Sequence, residues 1–352
     1  MNDSMKEWVK DHQLVSFFIL TFLITWGLGF SYSAVMKQRQ FLMVPLVFIA
    51  TCGPALAGII IKVISGTQQK SEGSRPKTWI VFFVTLIVSL IVCLANLVFI
   101  SNIPLSPILI GIFIVSVIPV AFIINLVYTR FPVIRNFQII LARLRDIKWW
   151  ILLAFILIPV LCLISFSISH LLGRSPNPLT VALPATGFAL IGWIALKFLY
   201  QFFFFNGTGE EVGWRGFALP RLQLHISPLI AALLLALIWV PWHVFLWQAE
   251  GKAIDTFAFW QMSYLIHIPS SVIICWIFNR SRGSILIAGI THAAANTVMA
   301  IFGGFDITVL TIMFYSFAAV IVFADRMWRK LPVDHPGVYN DVIHSVSTEI
   351  SG

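Results

Sequence analysis

Runs of apolar residues, each about as long as a membrane-crossing helix, recur along almost the whole chain. A helix needs about 20 largely apolar residues to cross the hydrocarbon layer of a bilayer, which is about 30 Å thick. The runs span residues 14–35, 41–64, 79–100, 106–128, 149–170, 188–205, 227–247, 260–278, 284–302 and 307–324. Only 11% of the 352 residues are charged, against about 25% in soluble domains. We therefore predict an all-α, polytopic transmembrane bundle of about ten helices.

The net charge of +9 does not indicate nucleic-acid binding, because the basic residues lie in short loops between apolar runs. Such residues accumulate on the cytoplasmic side of membrane proteins. With ten crossings and both termini inside, 18 of the 23 basic residues face the cytoplasm. These are Lys6, Lys10, Lys62, Lys70, Arg75, Lys77, Arg130, Arg135, Arg143, Arg145, Lys148, Arg215, Arg221, Arg280, Arg282, Arg326, Arg329 and Lys330. We predict a multi-pass protein of the cell membrane with both termini cytoplasmic, no nucleic-acid partner, and lipid as its surroundings.

The chain divides into four predicted regions. Residues 1–178 are N-terminal membrane helices of unassigned role, 179–303 a catalytic helical core, 304–331 the last membrane helix, and 332–352 a flexible polar tail. Basic and apolar residues alternate over 136–150, which predicts either an amphipathic interfacial helix or a basic loop. The four cysteines lie inside apolar runs without CxxC spacing, so we interpret them as small core residues.

Residues 188–222 are too long for one upright crossing, since a straight helix of that length would reach about 52 Å. Asn206-Gly207-Thr208-Gly209 is the expected weak point, because glycine and asparagine favour turns and unwinding. We predict a kink here and not an eleventh crossing.

Directly after this point, Glu210-Glu211-Val212-Gly213-Trp214-Arg215 places charged residues in or beside a membrane helix. A charge at a helix centre costs about 3 kcal/mol on insertion scales, so a function or a partner is expected. Glu211 and Arg215 are four residues apart and are predicted to form an ion pair on one helical face. Glu210 projects about 100° away and is predicted to remain free for chemistry.

Two histidines complete the set of polar residues. Glu210 and His243 are equally distant from the predicted turn at residues 225–228, so an antiparallel hairpin places them at the same depth. His292 and Asn296 share one face of another helix at i, i+4 spacing. Taken alone, a membrane histidine such as His267 is best interpreted as a helix-to-helix hydrogen-bonding residue. Two histidines with a carboxylate, however, suffice for hydrolysis, either around a metal ion or with one group as the base.

The pattern Glu210-Glu211-x-x-x-Arg215, Trp239-x-x-x-His243 and His292-x-x-x-Asn296 resembles the three motifs of the CPBP family of intramembrane proteases. That family includes type II CAAX prenyl endopeptidases and Abi-like bacteriocin-processing and self-immunity proteins. The resemblance covers about residues 188–302. The family usually has Phe where this chain has Trp239, a departure to which we give little weight because an aromatic ring is retained.

The resemblance implies that Glu210 and His243 activate a water molecule and that His292 and Asn296 stabilise the oxyanion. It implies a membrane-associated substrate, prenylated or leader-bearing. A divalent metal such as zinc, held by Glu210, His243 and His292, and a metal-free glutamate base both remain open. The alternatives are a non-catalytic immunity or scaffold protein, and a transporter that uses the polar residues as an ion relay.

Overall fold

The computed structural model describes residues 3–35, 43–66, 78–99, 106–130, 144–174, 187–249, 252, 254–301 and 306–338. Every regular element in these ranges is helical. Within them, seven helices are long and apolar enough to cross a membrane, and three shorter helices are also apolar. Each of the ten predicted apolar runs contains one of these helices. The chain is thus a multi-pass membrane protein built as a helical bundle, as predicted.

The helices are α1 (Asp3–Asp11), α2 (Gln13–Val35), α3 (Met43–Thr51), α4 (Gly53–Ser65), α5 (Thr78–Phe99), α6 (Pro107–Arg130), α7 (Leu144–Leu171), α8 (Phe188–Phe204), π1 (Asn206–Glu210), α9 (Glu211–Gly213), π2 (Trp214–Ala218), α10 (Leu219–His225), α11 (Pro228–Trp242), α12 (Val244–Ala249), α13 (Phe257–Arg280), α14 (Ile285–Ile301) and α15 (Ile307–Ala324). Helix α14 lies at the centre of the C-terminal half, where it packs against α7, α8, α13 and π1.

Two predicted runs are each divided into two helices. The run 41–64 is interrupted at Cys52, between α3 and α4, and Pro54 follows in the first turn of α4. The run 227–247 is interrupted at His243, between α11 and α12. Pro241 lies in the last turn of α11, where it has no N–H to donate to the carbonyl four residues earlier. His243 lies directly after this helix end and not within a regular helix.

As predicted, residues 188–222 are kinked and do not form one regular helix. The backbone leaves the α-helical region at Phe205, where φ is −127° and ψ is −78°. The chain then continues through the wide turns of π1 and π2, separated by the single turn α9. Such i→i+5 turns are rare and are frequent at functional sites. We name residues 206–218 the π segment.

Polar contacts join several helix ends at one end of the bundle. Arg221 of α10 donates to the Gln13 side chain at the start of α2 over 2.9 Å. Two residues later, Gln223 donates to Asn279 of α13 over 3.1 Å and to the carbonyl of Gly337 over 2.8 Å. The two ends of the described chain therefore lie at the same end of the bundle.

The first part of the predicted flexible tail is packed against the protein. Residues 332–338 form turns, and Val338 is buried. Gln223 supplies a buried donor that holds the Gly337 carbonyl, so this part of the tail has a defined packing partner, and its flexibility stays a prediction. Residues 339–352 lie outside the described ranges.

Some predictions fall on residues that the structure does not describe. The proposed interfacial segment is described only from residue 144, where it forms the start of α7. Seven basic loop residues also lie outside the described ranges: Lys37 and Arg39, which we predict to face outward, and Lys70, Arg75, Lys77, Arg135 and Arg143. All four cysteines are described, and they are buried free thiols, as predicted.

Candidate active site

The Glu210 carboxylate is buried at the end of π1, with 2% of its residue surface exposed. Asn206 Nδ2 donates to its Oε1 over 3.0 Å, and Trp239 Nε1 donates to its Oε2 over 2.8 Å. Arg215 pairs with Glu211 and not with Glu210. The Glu210 carboxylate nevertheless accepts two hydrogen bonds, and its availability for chemistry stays a prediction. The wide turn of π1 and the facing helix α11 supply the donors that a buried carboxylate requires.

His243 lies beside this carboxylate. Its Nδ1 is 2.8 Å from the carbonyl oxygen of Trp239, and a carbonyl can only accept, so Nδ1 carries a proton. Nε2 is 3.7 Å from Glu210 Oε2. The hairpin argument placed these two residues at the same depth, and the turn between α10 and α11 falls where it was predicted, with Ser227 as the N-cap of α11.

The predicted ion pair is present and also holds the third motif. Arg215 donates to Glu211 Oε1 over 2.8 Å, and both side chains are fully buried. The same oxygen accepts a hydrogen bond from His292 Nδ1 over 2.8 Å. Since a carboxylate only accepts, Nδ1 of His292 is protonated. Glu211 is therefore both a structural partner of Arg215 and the residue that orients the His292 ring.

Asn206 connects the remaining groups. Its Nδ2 lies 3.0 Å from Glu210 Oε1 and 3.2 Å from His292 Nε2, and its Oδ1 accepts from Asn296 over 3.1 Å. A carboxamide has two N–H groups, and these two acceptors use both. The reverse orientation of the amide would point Oδ1 at a carboxylate oxygen, so the network itself sets the orientation of Asn206. One asparagine thus contacts three of the predicted catalytic residues.

Two glycines bring α14 close enough for this network. A Cβ added to Gly289 would lie 2.9 Å from the Cα of Gly207, so the two backbones touch at this point. Gly289 lies one turn before His292, and Gly207 directly follows Asn206. Counted along straight helices, His292 and Glu210 differ in depth by about 10 Å. The break at Phe205 and this close approach remove that difference.

The N-terminal helices support the π segment from the other side. A Cβ on Gly209 would lie 2.7 Å from the carbonyl oxygen of Thr51, and one on Gly213 would lie 2.6 Å from that of Pro54. Thr51 Oγ1 donates to the carbonyl of Phe204 over 3.1 Å, where α8 ends. The interruption between α3 and α4 therefore packs directly against the segment that carries both glutamates.

Aromatic and imidazole rings surround the carboxylate. The Trp239 ring centroid lies 5.3 Å from that of His243, 5.0 Å from that of His267 and 5.1 Å from that of His292. The Arg215 guanidinium lies 4.9 Å from the Trp239 centroid, within cation–π range. His267 Nδ1 lies 2.7 Å from the carbonyl oxygen of Ser263 in its own helix. This contact is not the helix-to-helix bond that was predicted for His267, although the ring packs beside His243.

The structure brings together every predicted site residue, and comparison with known proteins finds similar sequences over the region that carries them. Residues 191–298 match the family model described as Type II CAAX prenyl endopeptidase Rce1-like. Over 203 residues the chain is 28% identical to "CAAX prenyl protease 2" of Methanococcus maripaludis, covering 55% of this chain and 71% of that protein. Over this region the chain is therefore similar to type II CAAX prenyl endopeptidases. The matched region contains all three motifs of the predicted site.

The three side chains that could ligate zinc are those of Glu210, His243 and His292, and in the structure they contact other protein groups. His292 faces Glu211 with Nδ1 and Asn206 with Nε2, and His243 faces a carbonyl with Nδ1. Among the residues that the structure describes, no three His, Cys, Asp or Glu side chains are arranged to hold a metal ion. We therefore derive no catalytic step through a metal, and the zinc set stays a prediction.

Two residues of the site were not recognised from sequence. Asn206 was interpreted as a turn residue, and Trp239 as an aromatic residue in place of the usual Phe. The available signal for Asn206 was its spacing, since it precedes Glu210 by one helical turn within an apolar run. For Trp239 the signal was the indole N–H, which Phe lacks. Neither signal specifies a partner without the fold.

Proposed function

We propose that this chain is an intramembrane endopeptidase of the CPBP type that hydrolyses a peptide bond of a membrane-associated protein, with Glu210 and His243 activating the attacking water. The observation that carries the proposal is the 3.7 Å separation of His243 Nε2 and Glu210 Oε2 inside a buried cluster. With Nδ1 protonated, Nε2 of a neutral His243 is an acceptor. One water molecule can donate one O–H to each of these atoms and keep its lone pairs for attack.

The proposed reaction follows general-base chemistry. Glu210 accepts a proton from the water as the oxygen bonds to the scissile carbonyl carbon, and a tetrahedral oxyanion forms. The C–N bond then breaks, and the proton held by Glu210 passes to the departing amine nitrogen. A carboxylate has about four lone-pair positions, so the bonds from Asn206 and Trp239 leave room for the water.

We assign the oxyanion to Asn296 and His292. One N–H of Asn296 donates to Asn206, and we propose that the second donates to the developing charge. Nε2 of His292 accepts from Asn206 in the described state. Its part in oxyanion stabilisation therefore requires that the ring gains a second proton and exchanges Asn206 for the substrate oxygen.

The relatives suggest the substrate class. The matching family model and the archaeal relative are both described as CAAX prenyl proteases. We propose that this chain cleaves a prenylated peptide that carries a C-terminal CAAX sequence, in which the prenyl chain anchors the peptide to the bilayer.

The test is the Glu210→Gln variant, assayed in proteoliposomes with a farnesylated CAAX peptide. Gln keeps the size of the side chain and removes its basicity, so we expect kcat to fall by about 10²–10⁴-fold, the usual contribution of a general base. Glu7→Gln, on the exposed surface of α1, is the matched control and should retain wild-type turnover. Undiminished cleavage by a folded Glu210→Gln protein would refute the proposal. Retention of a cellular protective function by that variant would favour the scaffold alternative.

A further inference from the structure

Trp239 contacts both residues of the proposed water-activating pair. Its indole Nε1 donates to Glu210 Oε2 over 2.8 Å, and this is the carboxylate oxygen that faces His243. Its main-chain carbonyl accepts from His243 Nδ1 over 2.8 Å. The side chain thus holds the glutamate, while the backbone of the same residue holds the histidine.

The two bonds join different parts of the fold. Glu210 belongs to π1, whereas Trp239 and His243 lie on and just after α11. The bond from Trp239 to Glu210 therefore joins two separate elements. The 3.7 Å distance between Glu210 Oε2 and His243 Nε2 depends on how these two elements are placed relative to each other. The indole is 3% exposed. Because the indole is buried away from bulk solvent, a lost donor is not freely replaced from solvent.

We propose that Trp239 is a positioning residue, whose indole N–H fixes the Glu210 carboxylate at the distance from His243 that the attacking water needs. The inference rests on the proposed function of Glu210 and deepens it. Bonds between a neutral donor and a carboxylate are among the stronger hydrogen bonds in proteins. Without the donor the carboxylate can rotate about its side chain, so that Oε2 no longer faces His243 Nε2.

Three replacements separate the N–H from the ring. Trp239→Phe keeps an aromatic ring and removes the donor. Trp239→His keeps an N–H two ring bonds from Cγ, as in indole, and removes the benzene ring. Benzothienylalanine at position 239 keeps the shape of tryptophan and replaces the N–H by sulfur. If the N–H is the essential feature, Trp239→His should exceed Trp239→Phe in activity; if ring packing is essential, the order should reverse.

We expect Trp239→Phe and benzothienylalanine to lower kcat by about 10–100-fold, as for loss of a hydrogen bond to a charged group, with KM changed by less than about threefold. The assay uses the farnesylated CAAX peptide. Trp276→Phe is the matched control, because Trp276 Nε1 donates to the Asp325 carboxylate over 2.6 Å, outside the site. This control should keep the wild-type kcat.

The kcat of the benzothienylalanine protein tests the inference even if Trp239→Phe does not fold, because benzothienylalanine preserves the packing of tryptophan. A wild-type kcat for that protein would overturn the inference, as would an equal loss in Trp276→Phe. The outcome is separable from that of Glu210→Gln. If Glu210→Gln is inactive and the benzothienylalanine protein is fully active, only the inference on Trp239 fails. If Glu210→Gln is active, the proposed function fails first.

Discussion

At the scale of single residues, the site is held together by an asparagine that has no assigned chemical step. Asn206 is 1% exposed and contacts Glu210, His292 and Asn296. Each of these contacts gives a hydrogen-bond partner to a polar atom that is buried away from bulk solvent. The carboxamide therefore links the proposed base to the proposed oxyanion residues, and its loss should affect both.

Replacement of Asn206 by Ala should lower both stability and activity. It leaves Glu210 Oε1 and His292 Nε2 without the Asn206 donor, at a cost of about 1–3 kcal/mol for each buried atom left unpaired. We expect a lower melting temperature and a kcat reduced at least tenfold. The measurements are thermal unfolding in detergent and turnover of the farnesylated peptide. Asn206→Asp is the informative comparison, because it keeps the size of Asn206 and places a second carboxylate beside Glu210. An Ala variant with wild-type turnover would show that Asn206 is not part of the site.

At the scale of helices, close backbone contacts determine which side chains meet. The hairpin of α10 and α11 was predictable, because the Ser-Pro turn and the symmetric spacing of Glu210 and His243 are both local features. The close approach of the Glu210 and His292 side chains could not be predicted from local features. It depends on Gly289 touching Gly207, two residues separated by 82 positions, and only the packed bundle shows that a Cβ has no room there.

Gly289→Ala should therefore disturb the site from a distance. The added Cβ would lie 2.9 Å from the Gly207 Cα and would push α14 away from π1. Overpacking of this kind costs about 1–3 kcal/mol. We expect lower thermal stability together with a kcat reduced by about tenfold or more. Gly192→Ala in α8 is the control, since no heavy atom lies within 4 Å of the Cβ position, and it should behave as wild type. Equal behaviour of the two variants would argue against the close contact.

The turn after α15 should respond to pH. His335 Nδ1 accepts from the Gly337 N–H over 3.0 Å, which requires an unprotonated nitrogen. Burial lowers the pKa of His335 below its usual value; the neighbouring Asp334 opposes this shift, and Arg280 adds to it. The stabilising contribution is therefore complete above about pH 6.5, the pKa of an unfolded histidine, and is lost as pH falls through the folded pKa.

Hydrogen exchange of the Gly337 amide measures this effect directly. After correction for the intrinsic rate, protection should decrease as the pH is lowered from about 7.5 to about 5. In His335→Asn the side-chain oxygen can still accept the N–H but does not titrate, so protection should become independent of pH over this range. A pH-dependent decrease of the same size in His335→Asn would assign the titration to another group.

At the scale of the whole molecule, the described ends of the chain share one end of the bundle, while their side of the membrane remains a prediction. Composition and run length were sufficient to predict a helical bundle, since lipid tolerates few other spanning structures. The distribution of basic residues predicts sidedness by a separate principle. Lys252, between α12 and α13, should lie at the opposite end, because α13 has 24 residues and spans about 36 Å.

Single cysteines introduced at Lys6, Lys330 and Lys252 test this arrangement. All four native cysteines are buried, so they should give little background with a membrane-impermeant maleimide. If the positive-inside bias determines orientation, Lys6→Cys and Lys330→Cys will be labelled in inside-out vesicles and protected in intact cells. Lys252→Cys will show the opposite pattern. Labelling of Lys6→Cys and Lys252→Cys in the same preparation would mean that the helices between them do not cross as assigned. Labelling of Lys6→Cys and Lys330→Cys from outside, with Lys252→Cys inside, would keep the crossings and reverse the orientation. The two results are separable, because the length of the apolar runs determines the crossings, whereas the distribution of basic residues determines the orientation.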